Sequence, residues 1–168
     1  MGDAMILLGV DPGLSGALAF MEAGHPAAVP HIHDMPTLSL SRGGKNKREI
    51  DVHLLARIIA EHMPIGHAFI ELVGAMPGQG TSSMFAFGKA YGIVIGVLAA
   101  SAVPMTFVSP VKWKKAFGVP AAKDGSRSRA SQLLPGAAHQ WRRIKDHGRA
   151  EAALICLWGE RSLSSIAA

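Results

Sequence analysis

Apolar residues along this chain fall in short blocks whose spacing changes from continuous to helical and back. Ile6-Leu7-Leu8-Gly9-Val10 is an apolar run that stops at Asp11-Pro12-Gly13. It predicts a buried strand that delivers one carboxylate to its C-terminal tip before a tight turn. Residues 16–22 and 27–34 read as two further strands joined by Gly24-His25-Pro26, and residues 35–49 read as a polar loop. Asp51 then caps a helix with Leu54, Leu55, Ile58 and Ile59 on one stripe, whose companions His53 and His62 are read as surface residues. Residues 66–72 repeat the first theme: an apolar run ends in Glu71, and a glycine-rich stretch follows over residues 74–80. A helix capped by Thr81 or Ser82 runs to about Ser101, with Gly88, Gly92, Gly96 and Ala100 at four-residue spacing. A strand at 104–108 follows, then a short basic helix from Ser109-Pro110 to Gly118, and another helix over 126–134. The last helix, 148–163, buries Ala150, Ala153, Leu154, Leu157 and Trp158.

Three strands, then helix, strand, helix, strand and helices make a mixed α/β order, expected as a five-stranded mixed sheet flanked by helices. Short turns make the first three strands antiparallel, and the helical crossover makes the fourth parallel to one of them. With strands one and four adjacent, Asp11 and Glu71 end on one sheet edge about one strand spacing (~4.8 Å) apart. The last helix is placed to bring Asp146, His147 and Glu151 there. No repeat or linker divides the chain, so residues 1–168 are read as a single domain.

Charge adds a partner class. Seventeen Lys and Arg against twelve Asp and Glu give +5, and fourteen of the basic residues fall in four patches, at 42–48, 112–115, 123–129 and 142–149. Clustering of this kind points to a polyanion, with the 35–49 arm and the 112–115 helix as phosphate contacts. One cysteine, Cys156, excludes an intramolecular disulfide and a cysteine-based zinc site. The N-terminus has Asp3 and no basic residue before its apolar stretch, unlike a signal peptide. The 22 uncharged residues between Lys89 and Lys112 contain Ser101 and Pro104, so they read as a helix and a buried strand rather than a membrane span. The expectation is a soluble cytoplasmic protein with no membrane partner.

Carboxylates gathered this closely repel and raise one another's pKa, so the cluster is expected to hold divalent cations. Four stretches then carry a resemblance: Gly9-Val10-Asp11-Pro12-Gly13, Ile70-Glu71, Phe87-Gly88-Lys89-Ala90-Tyr91-Gly92, and residues 146–154 beginning Asp146-His147-Gly148-Arg149-Ala150-Glu151. In this order and spacing the chain resembles the RuvC-type Holliday junction resolvases of the ribonuclease H-like superfamily, particularly the shorter phage-type members. The resemblance implies a homodimer that binds a four-way DNA junction, a form of branched DNA, and nicks opposing strands. It implies Asp11, Glu71, Glu151 and either Asp146 or His147 as catalytic metal ligands for two Mg²⁺ ions, with Mn²⁺ as a substitute. His147, when not a ligand, would protonate the leaving group. Lys45, Lys47, Arg48, Met76, Lys112, Lys114, Lys115 and Lys123 are the candidate DNA contacts.

The chain departs from the family pattern. The last-helix pair is expected three residues apart, yet Gly148 stands three before Glu151, and Gly74 stands where an aromatic residue follows the second acid. Competing readings are a less selective branched-DNA nuclease, a ribonuclease H, a non-catalytic junction-binding module and an actin-like ATPase. The last needs two such lobes, which 168 residues barely hold.

Overall fold

The computed structural model describes residues 5–25, 29–74, 78 and 80–166, with residues 42, 45, 165 and 166 described by backbone alone. Five strands form the central sheet: β1 (Ile6–Asp11), β2 (Ala17–Glu22), β3 (His31–Asp34), β6 (Ile65–Glu71) and β7 (Met105–Val108). Their order is β3-β2-β1-β6-β7. The first three are antiparallel neighbours, while β6 lies parallel to both β1 and β7. This is the mixed sheet expected from the order of elements.

Period-two alternation within the strands sorts the core into two layers. On one face Leu7, Ala17, Ala19, Met21 and Phe69 pack beneath α5 (His147–Ile166), joined by Trp113 and Trp141. On the other, Leu8, Val10, Leu18, Phe20 and Ile70 pack beneath α1 (Val52–Glu61) and α2 (Thr81–Ala100). Leu7, Leu8 and Val10 are fully buried, and burying each such side chain stabilises the fold by about 1.5–3 kcal/mol. Helix α5 sits directly on β1 because Gly9 has no side chain. A Cβ there would lie 2.2 Å from the Ala152 carbonyl oxygen and 2.5 Å from the Cys156 nitrogen.

Two expectations require correction. Residues 35–49 are not simply a loop: β4 (Thr37–Arg42) and β5 (Lys45–Ile50) form an antiparallel hairpin. Gly43 and Gly44, at φ 58° and 72°, supply the two positive-φ residues that a tight two-residue turn demands. Arg48 fastens the hairpin, donating to the Leu14 carbonyl at 2.8 Å and to Thr37 Oγ1 at 3.1 Å. The cap of α2 is Gly80, with no side-chain cap bond, rather than Thr81 or Ser82.

Helix α2 buries Ala90, Val94 and Leu98. Its glycine strip faces the other way: a Cβ on Gly88, Gly92 or Gly96 would meet nothing within 4 Å. By length and composition α2 is long and apolar enough to cross a membrane. Short elements complete the fold: α3 (Pro110–Phe117), α4 (Gly125–Leu133) and two 3-10 segments, Pro135–Trp141 and Ile144–Asp146. Ser109 caps α3, its Oγ accepting from the Lys112 amide, and Gly118 closes it in the left-handed conformation at φ 58°.

Candidate active site

Parallel pairing of β1 with β6 places Val10 opposite Ile70, so the next residues, Asp11 and Glu71, end side by side on one edge of the sheet. Both lie on the face covered by α5. Behind Asp11 the chain turns sharply: the Gly16 amide donates to the Gly13 carbonyl at 2.9 Å, and the Gly13 amide lies 3.3 Å from Asp11 Oδ1. Gly16 is required here, because a Cβ would lie 2.1 Å from the Asp11 carbonyl oxygen.

Three neighbours shape the cluster. Glu71 is buried, and Trp113 of α3 donates its indole Nε1–H to Glu71 Oε1 at 3.0 Å. Glu151, one turn into α5, accepts from Ser126 Oγ at 2.8 Å and pairs with Lys114 Nζ at 3.1 Å. Burial pushes the Asp11 carboxyl up to about 6, and the Glu151 charge adds to the rise. Burial likewise pushes Glu71 up to about 7, with Asp11 and Glu151 adding to the rise and the Trp113 hydrogen bond opposing it. Three carboxylates thus share a poorly solvated corner with Lys114 as the cation acting on all of them among the described residues. Surplus negative charge of this kind, carried on oxygen donors, fits a hard divalent cation.

The residues before Glu151 do not all join the cluster. Asp146 is committed elsewhere: Arg143 donates Nε–H to Oδ2 and NH2 to Oδ1, both at 2.9 Å, and its amide donates to Oδ2 at 3.1 Å. That grip holds the Asp146 carboxyl below the usual carboxylate range, turned toward Arg143. His147 is exposed and opens α5 four residues before Glu151, on the same side of the helix. Gly148 faces the cluster directly. A Cβ on it would lie 2.5 Å from the Ser15 carbonyl oxygen, 2.8 Å from Gly16 Cα and 3.1 Å from Asp11 Oδ2. The position three residues before Glu151 is therefore packed against backbone, leaving no room for a side chain.

The basic candidates separate in a similar way. Lys114 stands inside the acidic cluster, its ammonium also 5.0 Å from the Trp113 ring centroid. Lys112, Lys115 and Lys123 are exposed, and Lys112 lies 5.2 Å above the Trp158 ring. Lys47 and Arg48 lie on β5, bordering a cavity of about 390 Å³ that Leu14, Thr81 and Lys89 also line. The Lys45 side chain and Met76 lie outside the described residues. Trp113 and Ser126, which support Glu71 and Glu151, carry no signal in the local sequence. Their contacts span 42 and 25 residues, beyond any local pattern.

The chain matches no protein-family model. Among solved structures it is similar to Thermus thermophilus RuvC in complex with a Holliday junction substrate, with a TM-score of 0.60 and 15% identity, over 94% of this chain and 96% of that one. The yeast mitochondrial Holliday junction resolvase Ydc2 gives a TM-score of 0.60 and 13% identity, over 94% of this chain and 78% of that one. The fold is therefore the ribonuclease H-like fold in its RuvC form, as the sequence motifs implied. A curated relative, the chloroplastic Holliday junction resolvase MOC1 of Chlamydomonas reinhardtii, is 30% identical over 94 residues, 55% of this chain. The aligned region is 11% of the MOC1 length.

Proposed function

We propose that this protein is a metal-dependent endonuclease that resolves four-way DNA junctions by paired nicks in opposing strands. The observation that carries the reading is the pairing of Asp11 with Glu71 at adjacent strand ends, facing Glu151 with too little positive charge to balance them. Asp11, Glu71 and Glu151 would hold the metal, and His147 would either complete the ligand set or protonate the leaving oxygen. Bound Mg²⁺ supplies Lewis-acid activation of water and stabilises the leaving 3′-oxygen. The chain's own residues do the positioning. Trp113 and Ser126 fix one oxygen each of Glu71 and Glu151, and the packed Gly148 backbone sets how near α5 stands to Asp11. Lys114 supplies positive charge at the site of phosphate attack.

Separating a two-fold junction cleanly takes two cuts, and one cluster per chain makes one, so the working unit is a C2 homodimer. The open glycine strip on α2, beside Phe85 at 76% exposure, supports that face as the contact. A second reading, a less selective branched-DNA nuclease, is favoured by Gly74, which leaves no aromatic group at that position to occupy an opened junction. Asp11→Asn separates catalysis from binding. It is expected to abolish magnesium-dependent cleavage while junction binding stays equal or tightens, because a phosphate-repelling charge is removed. Cleavage near the wild-type rate would refute the assignment.

A further inference from the structure

A second cluster of metal-binding side chains lies away from the acids. His31 and His33, two residues apart on β3, project from the same face as Leu18 and Phe20, their register partners on β2. Helix α1 ends at His62, its C-cap, which brings a third imidazole to this pair. One ring nitrogen from each of the three histidines lies within 4.8 Å of the others. Ring centroids are 4.7 Å apart for His31–His33, 5.0 Å for His31–His62 and 5.1 Å for His33–His62. This is the sheet face opposite α5, two strands out from β1, so the cluster is separate from Asp11, Glu71 and Glu151.

Hydrogen bonds and stacking fix how these rings face one another. His62 Nδ1 lies 2.8 Å from the Ile58 carbonyl oxygen. A carbonyl only accepts, so Nδ1 carries the proton and Nε2 presents its lone pair. A second ring nitrogen bonded to a backbone carbonyl is how ligating histidines are commonly oriented. The His62 ring is further fixed by stacking on Phe20, at 3.8 Å and 14°. His62 Nε2 accepts from His31 Nδ1–H at 2.9 Å, so a metal bound by both rings would take the place of that proton. His33 Nε2 is buried with no hydrogen-bond partner, an arrangement that is costly for a polar nitrogen. Three nitrogens around one tetrahedral zinc at ~2.0–2.1 Å would stand roughly 3.3 Å apart. Small rotations of these rings span the observed range.

We propose that His31, His33 and His62 form a binding site for a nitrogen-preferring divalent metal of the zinc class, with Glu61 or water as the fourth ligand. Glu61 is near enough to act electrostatically on His33. Imidazoles select Zn²⁺, Co²⁺, Ni²⁺ or Cu²⁺ over Mg²⁺, so this site and the carboxylate cluster take different ions. A metal here ties the edge strand β3 to the end of α1, and its binding adds directly to fold stability.

The test uses the full chain stripped with chelator and titrated with Co²⁺ and Zn²⁺. Expected are visible d–d absorption of tetrahedral Co²⁺ at one equivalent, displacement by Zn²⁺, and a rise in Tm that Mg²⁺ alone does not produce. His31→Gln and His33→Gln should each weaken binding by at least about tenfold, whereas Asp11→Asn should leave it unchanged. X-ray absorption of the wild-type zinc complex needs no variant, and should show imidazole scattering from three histidines. Zinc binding that survives both histidine substitutions, that Asp11→Asn abolishes, or that shows oxygen ligation alone would overturn the proposal. So would an absence of Zn²⁺ or Co²⁺ binding in the micromolar range.

Discussion

Replacing Glu71 with Gln should stabilise the protein while destroying its activity. The substitution keeps shape, and Gln Oε1 still accepts from the Trp113 indole that now holds Glu71 at 3.0 Å. What it removes is a charge that burial disfavours. Glu71 titrates at about 7 in the fold against an ordinary 4.5. At about 1.4 kcal/mol per pH unit, holding this group ionised above pH 7 costs the native state roughly 3 kcal/mol. The sign follows from proton binding: with the folded value raised, the native state holds the proton more tightly than the unfolded chain. Wild-type stability therefore falls as pH rises from about 4.5 through about 7, and is level above that for this group. Thermal unfolding in chelator at pH 8 should put Glu71→Gln above wild type by roughly 6–12 °C. The gap should shrink below about 1 kcal/mol at pH 5. Saturating Mg²⁺ should raise the wild-type Tm and leave the variant almost unmoved, since binding to the native state alone contributes about 2.7 kcal/mol at a hundredfold excess over Kd. A variant less stable than wild type at pH 8, or a gap independent of pH, would refute the reasoning about this cluster.

Further predictions concern its surroundings. Gly148→Ala should cost about 1–3 kcal/mol by overpacking against Ser15 and Gly16, and cleavage should drop about a hundredfold as Asp11 is displaced; unfolding and single-turnover cleavage measure the two effects. Neutralising Lys112, Lys115 and Lys123 should flatten the salt dependence of DNA binding by about 0.9 for each phosphate no longer neutralised, read from binding titrations across salt concentrations. Neutralising Lys114 should instead reduce cleavage more than binding, because it pairs with Glu151 at 3.1 Å. Gly92→Ala and Gly96→Ala fill open space in the isolated chain and gain about 1 kcal/mol each in helix propensity. On a close-packed dimer face they should nonetheless weaken self-association by light scattering.

Legibility in the sequence tracked locality. Asp11 and Glu71 were visible because each ends an apolar run before a turn, and the parallel pairing of β1 with β6 follows from the helical crossover between them. The hairpin at β4 and β5 was not legible, since its strands are largely polar and only Gly43-Gly44 signals the turn. The grip of Arg143 on Asp146 is a matter of side-chain geometry that no local pattern announces. His62 looked like an isolated surface residue because His31 and His33, 31 and 29 positions earlier, meet it through the packing of α1 on the sheet. The glycine strip on α2 was plain in the sequence, but its direction was not. Only the packing of Ala90, Val94 and Leu98 turns it outward.

Junction resolution at the Asp11–Glu71–Glu151 cluster is decided by which nucleic acid is cut. Its most direct test compares, in Mg²⁺ and under single-turnover conditions, cleavage of a mobile four-way DNA junction, a linear duplex and an RNA–DNA hybrid of matched sequence. Paired nicks in opposing strands of the junction, yielding two linear duplexes, are expected, with the duplex and the hybrid left intact and all cutting abolished in Asp11→Asn. Equal cleavage of the hybrid or the linear duplex, or junction cleavage that persists in Asp11→Asn, would contradict it.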